Sequence, residues 1–166
     1  MAEKEQILKE KLEHTGIFDF KAMYSYAHNW FKEEEFVVTE EEYKEKSSGD
    51  SRDLQIKWKV FKELSDYFSI EYKVLFRIEG MKDVEVEIDG QKRQMNQGKV
   101  ETEITGVLVM DTDGKWETSA WNRFMRDVYN KYLVPNRVLS MRIKVSEKAQ
   151  SFKEDLKSFL NLTARR

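Results

Sequence analysis

The chain contains no cysteine, one proline, two histidines and seven glycines in 166 residues. The lack of cysteine excludes a disulfide scaffold, a thiolate metal site and a cysteine nucleophile. The two histidines, His14 and His28, lie 14 residues apart with no HExxH-type pairing; His28 falls at the boundary between the solvent and core sides of a helix and His14 near a helix C-terminus, both structural positions. The glycines are scattered; no phosphate-cradling loop, dinucleotide fingerprint or G-x-S-x-G elbow can be built from them. No apolar run approaches the ~20 residues of a membrane-spanning helix. Residues 1–14 are charged throughout and lack the apolar core of a signal peptide, which makes a cytoplasmic location the default.

What is present is charge and alternation. Charged residues make up 36% and hydrophobic ones 40%, the composition of a folded protein with a highly charged exterior. The net charge of −2 hides an asymmetry: residues 136–166 hold eight basic and three acidic side chains, +5, leaving −7 for the rest. Leu54, Ile56, Trp58 and Val60 alternate with polar residues; Ile70, Tyr72, Val74, Phe76 and Ile78 repeat the pattern, and Val100, Thr102, Ile104, Gly106, Leu108 and Met110 do so again. Period two places one face of each strand in a core and the other in water. Residues 36–46 form a weaker strand whose Glu40-Glu41-Glu42 run marks an exposed edge.

Turns are predicted around Gly49, at Ser65-Asp66, at Asp89-Gly90, a strong hairpin signal, at Asn96-Gln97-Gly98 and at Asp111–Lys115. Phe61 breaks the parity of its strand and predicts a bulge or bend, and Gly80-Met81-Lys82 predicts an interruption. Around the strands lie helical stripes. Phe20, Met23, Tyr24, Ala27, Trp30 and Phe31 predict a helix capped by Asp19. Trp121, Phe124, Met125, Val128, Tyr129 and Tyr132 predict another, capped by Thr118 or Ser119. Residues 3–14 predict a marginal helix with only Ile7, Leu8 and Leu12 apolar. After Pro135, residues 139–145 alternate like a strand, yet Val138, Met141, Val145, Ala149, Phe152, Leu156, Phe159 and Thr163 step by threes and fours. The helical register survives past Ser146, which favours one long amphipathic helix.

The predicted fold is α+β and a single domain: an antiparallel meander of four long strands plus a short hairpin extension, covered on one face by two to four helices. The marginal helix occupies residues 1–16, the body 17–135 and the basic C-terminal helix 136–166. The aromatic residues Trp30, Phe31, Trp58, Phe76, Trp121, Phe124 and Phe152 all fall on stripes predicted to face inward. If the helices instead leave a cavity, the layout is similar to that of helix-grip folds that bind hydrophobic molecules, which implies an apolar-ligand carrier as an alternative. No motif is shared, and layout does not fix function.

Asp111-x-Asp113-Gly114 with Glu117 lacks calcium-loop spacing and reads as a turn before a helix. No catalytic, cofactor or metal residues are predicted, and the reading is a non-enzymatic interaction or assembly module. The predicted partner is a protein or a second copy. The candidate surface is the edge residue Tyr43 with the basic tail residues Arg137, Arg142, Lys144, Lys148, Lys153 and Lys157. The narrow 3-4 seam of the tail suits helix pairing. A basic amphipathic tail also fits nucleic acid or an anionic surface, and Arg123, Arg126, Lys131, Arg137, Arg142 and Lys144 supply a basic stripe. The slightly acidic net charge and the inward aromatics argue against nucleic acid.

Overall fold

The structure, a computed structural model, describes residues 3–110, 120–128 and 135–164. Its elements are β1 (Glu3–Phe18), α1 (Phe20–Glu33), β2 (Val37–Ser48), β3 (Ser51–Glu63), β4 (Phe68–Ile88), β5 (Gln91–Met110), α2 (Ala120–Val128) and α3 (Pro135–Ala164). The strands form one antiparallel sheet in the order β1-β5-β4-β3-β2, a meander of β2 to β5 closed on its far side by β1. Helices α1 and α3 share a core with the inner face of this sheet. The class is α+β, with five strands rather than four.

The extra strand is a correction. Residues 3–14, read from sequence as a helix, belong to β1, which pairs with β5 from Glu3↔Met110 to Phe18↔Asn96. Leu8 and Leu12 are four residues apart, a spacing that serves a helix face and a strand face equally. The decisive term is nonlocal. β5 is a central strand with a second row of backbone donors and acceptors, and β1 pairs with them. Leu8, Leu12 and Phe18 then join the inner face.

The predicted break at Gly80 is a β-bulge inside one continuous 21-residue strand, with the register shifting between Glu79 and Lys82. The predicted turn at Asn96-Gln97-Gly98 is likewise strand, and Gly98 is there for close approach. A Cβ on it would lie 2.9 Å from the Glu79 carbonyl oxygen and 3.1 Å from the Met81 Cα, both backbone atoms of the bulge opposite. Phe61 causes no bulge; it pairs in register with Val37 and Glu71, its side chain on the outer face. Asp89-Gly90 forms the expected hairpin, with φ of 52° and 78°, the two positive values of a type I′ turn.

α1 starts as its sequence predicts, the Asp19 carboxylate accepting from the Ala22 N–H at 3.2 Å. A second support is nonlocal: the Phe20 N–H donates to the Asn96 side-chain oxygen at 3.0 Å. α3 is one 30-residue helix, so residues 138–145 are helical and Pro135 is its first residue, where a missing N–H costs nothing. Val145, Ala149, Phe152, Leu156 and Leu160 form its buried seam. Phe152 packs at ring-centroid distances of 4.5 Å from Phe31 and 5.2 Å from Trp30. The Tyr72 hydroxyl donates to the Val145 carbonyl at 2.8 Å, a buried bond joining sheet to helix.

Candidate interaction surfaces

The long basic helix lies on the acidic body through three spaced ion pairs. Arg142 reaches Glu5 of β1 at 3.0 Å, Lys153 reaches Glu10 of β1 at 3.2 Å, and Lys148 bonds Glu34 at the end of α1. Three of the seven candidate residues are thereby engaged within the chain. Lys144 and Lys157 are exposed and make no ion pair among the described residues, and Arg137 is exposed at the start of α3. Tyr43 sits on the edge strand, directly opposite Ile56, with its ring half in water. Burial first, then the Glu45 and Glu40 carboxylates, raise its hydroxyl pKa. Edge strand β2 is blunted by charge and by a register shift between Glu40 and Glu42.

The outer face of the sheet is a lattice of lysine and glutamate. The Glu42 carboxylate is held down to about 2, by its bond to Lys44 first, then by Gln55 and Lys57. Glu71 is buried on this face, between Lys4 at 3.2 Å and Lys59 at 3.7 Å. Two like-charged pairs stand directly opposite one another. Glu13 and Glu101 are bridged by Lys11, at 3.5 and 2.7 Å. Lys59 and Lys73 are not bridged among the described residues: Lys59 has Glu71, and Lys73 has no described carboxylate within ion-pair distance. An open trough along β2–β4 is lined by Lys44, Lys46 and Arg77 against Asp53 and Glu79, charges of both signs that select no ligand class.

The interior is filled by aromatic rings. Trp58, Tyr72, Phe18, Phe31, Phe76 and Phe152 are fully buried, and the gap under α3 between Leu12, Ile104, Phe152 and Leu156 admits no water molecule. Trp58 is in edge-to-face contact with Tyr24, His28 and Phe76, and its Nε1 and the Thr102 hydroxyl have no hydrogen-bond partner among the described residues. His28 is a boundary side chain on that tryptophan. His14 lies in β1 rather than at a helix end, its Nε2 3.1 Å from the Ile17 carbonyl oxygen. Among the described residues no three His, Asp or Glu side chains converge as a metal site. Asp111, Asp113 and Glu117 lie outside the described residues, as do Tyr129 and Tyr132.

The aromatic reading fails at one element. Trp121 and Phe124, expected to face inward, are 66% and 56% exposed on α2, with Met125 exposed beside them. Their rings pack only 5.8 Å apart. The three- and four-residue spacing does generate an apolar stripe, as read from sequence; it is directed to solvent. Leu139 and Ile143 are exposed in the same way on the solvent side of α3. The signal available in sequence was the run of basic residues here: residues 120–144 contain six arginines and lysines and one acid.

The molecule is thus an α+β protein, an antiparallel five-stranded sheet with helices on one face, whose exposed apolar side chains concentrate on α2 and early α3. No protein-family model matches the chain, and neither a curated protein nor a solved structure matches it. Among the described residues no helix is long and apolar enough to cross a membrane.

Proposed function

We propose that this protein is a non-enzymatic interaction module whose contact surface is the outward apolar stripe of α2, supported by Leu139 and Ile143 of α3. The observation that carries this reading is the exposure of Trp121, Phe124 and Met125 on one helix face. Scattered apolar side chains on a surface need no explanation, but an aromatic stripe on a single helix does. The tail seam anticipated as a pairing surface is a weaker candidate, because its apolar residues pack on the chain's own sheet. The edge strand around Tyr43 is likewise protected by charge. An apolar-ligand carrier gains no support from the gap under α3.

The test is independent of any partner. Replacing Trp121 and Phe124 together by serine removes two large side chains. If they are surface groups in the isolated chain, stability changes by no more than about 0.5 kcal/mol each. If they are core groups, each costs about 3–5 kcal/mol and the melting temperature collapses. A large loss of thermal stability refutes the contact-surface reading. Sedimentation velocity on the same two proteins asks whether the stripe pairs with a second copy: a concentration-dependent mass above 19.9 kDa that the double variant loses marks self-association.

A further inference from the structure

Resting on that reading of α2, we infer that the surface docks onto an anionic lipid bilayer, lying in the headgroup region rather than crossing it. Three observations converge on this occupant. The first is the shape of the apolar set. Trp121, Phe124 and Met125 line one side of a nine-residue helix, short and shallow enough to sit in an interface. Tryptophan and phenylalanine on one face, arginine on the other and low net hydrophobicity describe interfacial helices. The second is charge. In sequence, residues 120–144 carry six basic residues and one acidic residue within a chain of net −2, and one of the six, Arg142, is held by Glu5. Arg123 on α2 and Lys144 on α3 are exposed. An anionic surface is complementary to these two exposed charges. The third is what the rest of the basic helix is doing. Lys148 and Lys153 are tied to Glu34 and Glu10, and the seam from Val145 onward is buried. The exposed Trp121, Phe124, Met125, Leu139 and Ile143 therefore lie upstream of the docked half of α3, together with the exposed Arg123 and Lys144.

A second copy of the chain is the competing occupant, and it fits less well. Its outer sheet face is already neutralised by lysine–glutamate pairs, and its acidic Glu5, Glu10 and Glu34 are engaged by its own α3. Three apolar side chains alone make a weak anchor; an apolar insertion plus a basic patch is the two-signal combination that holds peripheral proteins on membranes.

The experiment is vesicle flotation of the full chain with phosphatidylcholine vesicles and with vesicles of seven parts phosphatidylcholine to three parts phosphatidylserine. Expected is at least about tenfold more protein floating with the anionic vesicles at low salt, falling several-fold as salt shortens the screening length from about 10 Å at 0.1 M to about 3 Å at 1 M. Trp121→Ala with Phe124→Ala abolishes flotation, and Arg123→Glu weakens it several-fold, with melting temperatures unchanged. Equal binding to both vesicle types, no binding to anionic vesicles, or undiminished binding of the double variant overturns the inference. If vesicles are ignored but the double variant loses a dimer seen by sedimentation, the occupant is a second copy and α2 remains the contact surface. If the double variant melts far below the parent, both readings fall together.

Discussion

Gly106 stands at the point where the central strand β5, the edge strand β1 and the helix α3 meet, and replacing it by alanine tests the docking of α3 directly. A Cβ there would lie 2.6 Å from the Leu8 Cδ2, 2.7 Å from the Val145 Cγ1 and 3.2 Å from the Tyr72 Cε1. Carbon atoms pack best at about 3.5–4.0 Å, so two neighbours must retreat by roughly an ångström. Leu8 is the flexible one, half-buried on an edge strand. Val145 is not: it is fully buried, and a β-branched side chain in a helix holds one rotamer. Its carbonyl also accepts the Tyr72 hydroxyl at 2.8 Å, so moving the helix strains that bond as well. Overpacking of this kind costs about 1–3 kcal/mol. Against it, removing a glycine stabilises by about 0.4–1 kcal/mol through the unfolded chain. The expected balance is a loss of about 1–2 kcal/mol, read as a melting temperature lower by roughly 2–8 °C. Urea unfolding of Gly106→Ala, Val145→Ala and the double variant completes the assay, because the clash predicts a coupling of at least about 0.5 kcal/mol between the two sites. An alanine variant as stable as the parent, with additive effects in the cycle, would show that α3 does not press on β5 at this residue.

Three other perturbations probe separate parts of the molecule. Phe152→Ala removes the ring packed between Trp30 and Phe31 and is expected to destabilise by about 3–5 kcal/mol in urea unfolding; a cost below about 1 kcal/mol contradicts the packing of α3 against α1. Lys73→Thr relieves the unbridged like-charge pair with Lys59 and should stabilise by about 0.2–1 kcal/mol, a gain that shrinks when salt is raised. Glu42 titrates near 2 rather than at its ordinary 4.5, so its contribution to stability is fully present above about pH 4.5 and lost as pH falls toward 2. A carboxyl carbon NMR titration measures this directly, and Lys44→Gln should move the midpoint upward; a wild-type midpoint at the ordinary value removes the Lys44 bond from the account.

The elements legible in sequence were those whose own residues decide them. β3, β4 and β5 alternate over long runs, Asp19 caps α1, Asp89-Gly90 makes its hairpin, and α3 keeps a helical step far past the stretch that also alternates. What was not legible depends on partners distant in sequence. β1 has too few apolar residues to declare its period, and its strand conformation follows from the open edge of β5. Gly98 looks like a turn residue until the bulge at Gly80 is placed against it. The fates of Arg142, Lys148 and Lys153 turn on glutamates 137, 114 and 143 residues away. For α2 the stripe itself was readable, but a hydrophobic period reports only that one side is apolar, and not whether that side meets a core or water.

The division of α3 explains why the unpaired character of the chain sits where it does. Exposed ion pairs contribute about 0–1 kcal/mol each, so the bonds to Glu5, Glu34 and Glu10 do not hold the helix down. Burying Val145, Phe152, Leu156 and Leu160, at about 1.5–3 kcal/mol for each large side chain, does. The ion pairs instead set where the helix lies. Arg142 and Lys153 fix it along β1 and Lys148 fixes it against the end of α1, so its azimuth is determined by three points. With that azimuth set, Val138 and Met141 continue the seam toward the core while Leu139 and Ile143 are turned outward. The exposed apolar residues of early α3 are therefore a consequence of how its later half docks. A helix optimised only for its own sheet would carry polar residues at those two positions. Leucine and isoleucine there, like Trp121 and Phe124 on α2, add nothing to the core of the described residues, and the proposed contact surface is what would give them a role.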